Sequence, residues 1–248
     1  MNRRGIITAA VAAIVLSVGV VAGPAHAGDG LDELVALNPG TTREGVEQLV
    51  RDVAAQTGST PAAVADQMLA EARESVAASG SSSGRATSND AVPSGSGGGG
   101  GTTILKNGER RGDIFVSPSS TLFVNHGHTG IYYTTRTIVE APGLGKKSRS
   151  ASASTLPVGR GAVKQYVKTS QTNRTAAATY AYTNLRGKAY NANFAFNKDR
   201  HGAKMNCSQL VWAAYIIKTR LDLDGNGGLG VYPYNIKDSK YTVTYRTL

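Results

Sequence analysis

Cys207 is the residue of this chain whose type and position most strongly suggest chemistry. It follows Asn206, a residue type that often caps the N-terminus of a helix. Gln209 stands three residues after the cap, so its side chain can return the capping hydrogen bond. The pattern predicts a helix over residues 206–218 with Cys207 in its first turn. There the unpaired backbone N–H groups and the helix dipole favour a thiolate, and they could bind the oxyanion that forms when sulfur attacks a carbonyl carbon.

The cysteine count by itself leaves three interpretations open. Cys207 is the only cysteine in the sequence, so it cannot form an internal disulfide. The thiol could be a nucleophile, a small buried hydrophobic group or one half of an intermolecular disulfide. A purely structural cysteine is better placed in the middle of the helix, beside Leu210 or Ala214. The first-turn position therefore favours the nucleophile.

A thiolate nucleophile needs an imidazole to hold the ion pair and to protonate the leaving group. After the first 27 residues, the candidates are His126, His128 and His201. His201 lies in a polar stretch between Arg200 and Gly202, and we expect it to be a solvated surface residue. His128 begins a predicted strand, which makes it the candidate base.

Glu140 is the candidate third residue. It follows Ile138 and Val139 in a strand that should pair antiparallel with the strand of His128. A carboxylate there can accept the second imidazole N–H and fix the tautomer, although an exposed carboxylate at a strand end has the same spacing. His126 and His128 alternate, as zinc ligands can, but no third group of ligands accompanies them.

Short β-branched or aromatic runs between Gly, Pro and Ser predict the strands of the main domain. The expected strands cover 113–116, 121–124, 130–134, 137–140, 162–167 and, at a sheet edge, 241–247. A further helix is expected over 175–184. Strands lead and the strongest helix comes late, so we predict an α+β domain over residues 102–248.

Three segments precede this domain. Residues 1–27 have the basic start, apolar run and small-residue cleavage pattern of a secretory signal peptide, with an uncleaved membrane anchor as the alternative. We therefore expect a secreted, extracellular protein. Residues 28–78 contain two predicted helix starts, a capping box at Thr41 to Glu44 and Thr60-Pro61. Residues 79–101 are a Gly- and Ser-rich linker.

Two short amphipathic helices bury little core unaided, so residues 28–78 should need a partner surface. They could lie against the following domain as a pro-segment, or act as a tether or a plain spacer. Charge agrees with such a contact: residues 28–101 carry a net charge of −6 and residues 102–248 a net charge of +14. The basic domain should attract anionic polymers or surfaces, and no motif indicates specific nucleic-acid binding.

Four motifs in this order resemble a known signature: Gly112-Asp113-Ile114, Gly127-His128-Thr129-Gly130-Ile131, Val139-Glu140-Ala141 and Cys207-Ser208-Gln209-Leu210-Val211. The signature is that of the circularly permuted NlpC-type (YiiX/YebB-like) branch of the papain-like cysteine hydrolases, in which the histidine precedes the cysteine. The resemblance covers roughly residues 110–245 and implies an antiparallel sheet packed on the cysteine-bearing helix. It also implies Cys207 as nucleophile, His128 as base and Glu140 as third polar residue, with Tyr190 and Ser208 as substrate-binding candidates.

The resemblance and the export signal favour an exported cysteine hydrolase that cleaves amide bonds in cell-wall peptidoglycan peptides through a thioester, without a cofactor. Two alternatives stay open. One is a lipid or acyl-ester hydrolase or acyltransferase with the same chemistry; the other is a non-catalytic basic wall-binding module with a buried, unreactive Cys207. Residues 222–227 resemble a calcium loop, but Pro233 stands where its last ligand, a glutamate, belongs. We interpret this segment as a turn and predict no metal.

Overall fold

The computed structural model describes residues 27–38, 40–83, 101–118 and 126–248. Three predicted features lie outside these residues: nearly all of the signal peptide, residues 84–100 of the linker, and the strand over 121–124. The described helices are α1 (Ala27–Leu37), α2 (Arg43–Thr57), α3 (Pro61–Ser83), α4 (Gln171–Asn184), α5 (Cys207–Thr219) and α6 (Pro233–Lys237). The strands are β1 (Thr102–Ile104), β2 (Ile114–Ser117), β3 (His128–Tyr132), β4 (Thr137–Glu140), β5 (Arg149–Ser152), β6 (Pro157–Gly159), β7 (Val163–Val167), β8 (Ala189–Tyr190), β9 (Lys204–Met205) and β10 (Thr242–Thr247).

The main sheet has the strand order β10-β7-β2-β3-β4-β5, and its neighbouring strands are antiparallel. Helix α5 packs on β3 and on α4. The core between them joins Ile131 and Val139 of the sheet to Val211 of α5 and Ala177 of α4. These elements form the predicted α+β domain, and β10 lies at a sheet edge as expected.

The other face of the sheet is also covered. Strands β1 and β6 form a separate antiparallel pair. Val158 of β6 and Leu105, just after β1, share a buried cluster with Phe115, Tyr132 and Ile138 of the sheet. Both faces of the central strands are therefore buried, so side chains at the ends of β3 and β4 are held in fixed positions.

Residues 27–83, here called the helical unit, fold as three helices where the sequence predicts two. The predicted capping box at Thr41 to Glu44 is wrong by one residue. Thr42 is the N-cap of α2 and its Oγ1 accepts a hydrogen bond from the Gly45 N–H at 3.1 Å, whereas the Thr41 hydroxyl donates to the Asn38 carbonyl. The third helix begins at Pro61 as predicted, but it continues to Ser83, five residues past the expected end.

The helical unit packs against the domain that follows it. Its buried cluster, which includes Val53 and Met68, also takes in Ala195, Phe196 and Leu229 of the domain. The helical unit and the domain therefore bury apolar side chains against each other, in addition to being connected by the linker.

Among the described helices, none combines the length and apolar character that crossing a membrane requires.

Candidate active site

Cys207 is the first residue of α5 and is completely buried. The Asn206 side chain caps the helix by accepting a hydrogen bond from the Gln209 N–H at 2.9 Å. Gln209 Oε1 in turn accepts the Asn206 N–H at 3.3 Å. The predicted capping box is confirmed, and it holds the sulfur in the first helical turn.

A second group of hydrogen bonds ties this turn to Val231. The Ser208 hydroxyl donates to the Val231 carbonyl at 2.7 Å, and the Asn197 side chain bonds both the N–H and the carbonyl of Val231. Ser208 is itself fully buried. In this structure the Ser208 hydroxyl donates inside the protein, and its part in substrate binding stays a prediction.

His128 is the first residue of β3, as the sequence predicts, and helix α5 packs on this strand. Its Nε2 lies 2.7 Å from Glu140 Oε2, and Cys207 is near enough to raise the pKa of its imidazole. Because Nε2 is engaged by the carboxylate, Nδ1 is the ring nitrogen that remains for the sulfur. The antiparallel pairing of β3 with β4, in which Gly130 faces Glu140, brings the imidazole and the carboxylate together.

Arg149, which the sequence analysis did not identify, completes this group. It lies opposite Glu140 in the pairing of β4 with β5. Its Nε and Nη2 both donate to Glu140 Oε1, at 3.0 and 2.9 Å. The sequence analysis predicts no strand at Arg149, so the pairing with β4 that places it beside Glu140 is found only in the structure.

The charges of this group are interdependent. Burial lowers the pKa of His128, but the hydrogen bonds and charges of Cys207 and Glu140 outweigh burial and raise that pKa from 6.5 to about 10. Burial likewise raises the pKa of Glu140, while His128 and Arg149 lower it by a larger amount. The imidazole therefore tends to carry its proton, and the buried carboxylate stays ionised.

Gly130 makes this geometry sterically feasible. A Cβ at this position would lie 2.7 Å from the Phe115 ring and 2.9 Å from the Val139 carbonyl oxygen. The Phe115 ring also packs against the imidazole of His128, with ring centroids 5.6 Å apart. A side chain at Gly130 would therefore displace the ring that supports the histidine.

Tyr190 lies beside the cysteine. It is 9% exposed, and its hydroxyl has no hydrogen-bond partner among the described residues. Burial, and then the charge of Cys207, raise the pKa of Tyr190 well above its ordinary value. Its hydroxyl is therefore a neutral donor that is not used within the described protein.

His126 and His201 differ from His128. His201 is exposed, as predicted. His126 is buried between the rings of Phe194 and Tyr232, each with its centroid 5.0 Å away. Burial lowers the pKa of His126 to about 4, against a smaller opposing effect of the Leu37 backbone. His126 is thus a neutral core residue that joins the aromatic cluster near Tyr190.

The acidic turn at residues 222–227 uses its carboxylates internally. Asp222 Oδ1 accepts hydrogen bonds from the Trp212 ring N–H and from the Asp224 N–H, and Asp224 pairs with Lys198 Nζ at 2.7 Å. Within the described residues, no group of three His, Cys, Asp or Glu side chains is arranged to hold a metal ion.

This chain is similar to a bacterial protein of known sequence and, more weakly, to a solved structure. No protein-family model matches the chain. The uncharacterized protein YycO of Bacillus subtilis (strain 168) is 33% identical over 221 residues, which span 88% of this chain and 86% of that protein. The crystal structure of the metalloprotein yiiX from Escherichia coli O157:H7, DUF1105, is 18% identical with a TM-score of 0.43, covering 56% of this chain and 97% of that one. That structural likeness is too low to support a statement about chemistry.

Proposed function

This chain belongs to the same family as YycO of Bacillus subtilis, and we propose that it is an exported cysteine hydrolase that cleaves amide bonds in cell-wall peptides. The observation that carries the proposal is the contact of Cys207 with His128, whose other ring nitrogen lies 2.7 Å from Glu140. The motif order further supports a permuted NlpC-type, papain-like arrangement of these residues. A strongly basic domain suits a wall that contains anionic polymers.

The reaction would proceed in two halves. Cys207 Sγ, as a thiolate whose proton is held on His128 Nδ1, attacks the amide carbonyl carbon, a C–S bond forms, and the carbonyl electron pair moves to oxygen. Backbone N–H groups of the first turn of α5 can donate to this oxygen. The C–N bond then breaks as the His128 Nδ1 proton passes to the leaving amine, which leaves a thioester.

The second half returns the enzyme to its starting state. Neutral His128 takes a proton from water, which adds to the thioester carbonyl carbon. The C–S bond breaks and the carboxylic acid departs. Glu140 keeps its hydrogen bond to Nε2 throughout, so Nδ1 remains the nitrogen that exchanges protons.

Burial of Cys207 alone does not separate an enzyme from a non-catalytic wall-binding module, because a structural cysteine is also buried. The surroundings of the sulfur do separate them. A structural thiol packs against apolar groups, whereas this thiol meets an imidazole that is held by an ionised carboxylate and an arginine. Burying such a group is costly unless it is fully paired, so its presence beside the thiol supports catalysis.

The test compares the mature protein with three variants on two substrates. Purified peptidoglycan and phospholipid vesicles are incubated with the wild type, Cys207→Ala, His128→Ala and the matched control His201→Ala, which changes an exposed histidine. We expect new peptide termini by mass spectrometry with the wild type and His201→Ala, and with neither of the other two variants. Hydrolysis of vesicles without peptide products would instead assign a lipid acyl hydrolase. No product from either substrate, together with no alkylation of Cys207 at neutral pH, would overturn both assignments.

A further inference from the structure

The helical unit is fastened to the domain close to the cysteine helix. Glu71 of α3 is buried, and its carboxylate accepts the Leu229 N–H at 2.9 Å and the Gly230 N–H at 3.1 Å. The next residue, Val231, is the one that holds Ser208. The helical unit is thus connected by hydrogen bonds to the turn that carries Cys207.

A cavity of about 550 Å³ lies between the helical unit and the domain. Asn38, Gln48 and Asp52 line it from the helical unit, and Leu144, Tyr190 and Asn193 line it from the domain. Its size falls within the usual range of small-ligand sites, roughly 300–1,000 Å³. Tyr190 lines this cavity and also lies beside Cys207, which itself does not line it.

Two of the residues that line this cavity, Asn38 and Tyr190, each carry a buried polar atom without a partner among the described residues. Asn38 is 2% exposed, and its Oδ1 has no hydrogen-bond partner among the described residues. Its Nδ2 donates to the Leu34 carbonyl at 2.8 Å, which fixes the orientation of the amide and leaves Oδ1 as a free acceptor. On the domain side of the cavity, Tyr190 carries a hydroxyl that has no hydrogen-bond partner among the described residues. An unpaired buried polar atom costs about 1–3 kcal/mol, so a ligand that pairs both atoms is favoured.

One acceptor and one donor match the N–H and the carbonyl of a peptide backbone. We propose that this cavity binds the peptide part of the substrate, with Asn38 Oδ1 accepting a backbone N–H and the Tyr190 hydroxyl donating to a backbone carbonyl. A lipid acyl chain pairs neither atom. The inference rests on the proposed function and adds to it: the helical unit is a wall of the substrate site, and not a spacer.

Binding of a peptide at these atoms requires the cavity to widen. Asn38 Oδ1, the Tyr190 hydroxyl and Cys207 are all closed to solvent. A substrate therefore reaches them only as the helical unit and the domain move slightly apart. A larger side chain at the cavity wall should therefore weaken substrate binding and leave the reaction of the Cys207 thiol nearly unchanged.

The experiment fills the cavity from its exposed side in the full mature chain. Gln48→Trp and Asp52→Trp place an indole on exposed positions that line the cavity, and Ala55→Trp places one on an exposed position of the same helix that does not. Steady-state rates are measured with soluble peptides released from purified peptidoglycan. We expect each filling variant to raise KM about tenfold, a change of about 1.4 kcal/mol in binding, with kcat nearly unchanged. Ala55→Trp should behave as the wild type.

Asn38→Leu tests the acceptor itself. The loss of one hydrogen bond to the substrate should raise KM about fivefold, again with little change in kcat. Alkylation of Cys207 by iodoacetamide is measured for every variant and should match the wild type, which shows that the nucleophile is intact. If the wild type cleaves peptides while the filling variants and Asn38→Leu keep its KM, the inference is overturned and the proposed function stands. If the wild type cleaves no peptide, both are overturned.

Discussion

At the scale of single residues, the site consists of four side chains in sequence, each next to the following one. Arg149 contacts Glu140, Glu140 contacts His128, and His128 contacts Cys207. Glu140 is 1% exposed, and an isolated carboxylate would not stay ionised there. Its hydrogen bonds to a guanidinium and an imidazole keep it charged, and that charge in turn holds the proton on His128.

Replacing Glu140 by Gln removes this charge and keeps the shape. Because Glu140 contributes to the raised pKa of His128, the pKa of the imidazole should fall in the variant. The alkaline limb of the pH profile, expected near pH 10 in the wild type from that pKa, should move to lower pH. We expect kcat/KM to fall on the order of 100-fold. Glu109→Gln, at an exposed carboxylate of the same domain, is the control; an alkaline limb that does not move in Glu140→Gln would contradict the assigned contact.

The lowered pKa of His126 predicts that the protein loses stability as the pH falls. Its pKa is lowered from 6.5 to about 4 in the folded protein, so between these values the unfolded chain binds more protons. The stability contribution is complete above pH 6.5 and is lost as the pH falls towards 4. The free energy of unfolding should drop by about 2 kcal/mol from pH 7 to pH 5 through this residue. Urea denaturation of His126→Phe, which keeps an uncharged ring, should show a smaller drop; an equal drop would assign the acid sensitivity to other groups.

At the scale of elements, the first turn of α5 positions the nucleophile. The Asn206 Oδ1 accepts a hydrogen bond from the Gln209 N–H, and the Asn197 amide and the Ser208 hydroxyl also contact it. The same turn is held by Val231 through Ser208. The orientation of Cys207 therefore depends on a cap that bonds both its own helix and the neighbouring loops.

Removing this cap should affect stability and thiol reactivity together. Asn206→Ala is expected to lower the free energy of unfolding by about 1–2 kcal/mol and to slow alkylation of Cys207. Ser170→Ala is the matched control, because Ser170 caps α4 by accepting the Asn173 N–H at 3.1 Å, away from the cysteine. It should lower stability by a similar amount and leave alkylation unchanged. Equal alkylation rates in both variants would mean that the cap does not act on the thiol.

The parts of this site that follow local rules could be predicted from the sequence. The capping box of α5 needs residues three positions apart, and the pairing of His128 with Glu140 follows from two successive strands. The internal hydrogen bond of Ser208 could not be predicted, because its partner, Val231, is 23 residues away in the chain and belongs to a loop. Such contacts depend on how elements pack, and no periodicity or spacing encodes them.

At the scale of the whole molecule, the contact between the helical unit and the domain was the feature least predictable from the sequence. Composition indicates helices before an α+β domain and gives the two parts opposite net charges. It does not indicate where they touch. Besides the apolar contacts, the carboxylate of Glu71 accepts hydrogen bonds from backbone N–H groups 158 and 159 residues away. Because backbone groups exist at every position, no residue type in the domain marks this partner.

The Glu71 contact gives a prediction for the assembly of the two parts. In Glu71→Ala the Leu229 and Gly230 N–H groups lose their acceptor while apolar packing still covers them, so the free energy of unfolding should fall by about 2–4 kcal/mol. Hydrogen exchange at these two amides should quicken by more than the global loss of stability explains, because the turn can open locally. Glu74→Ala, an exposed carboxylate one turn along the same helix, should change neither quantity. If both amides keep their protection in Glu71→Ala, the helical unit is held by its apolar contacts with Ala195, Phe196 and Leu229 alone. If they lose it, the link from α3 to the turn that carries Cys207 is established in solution.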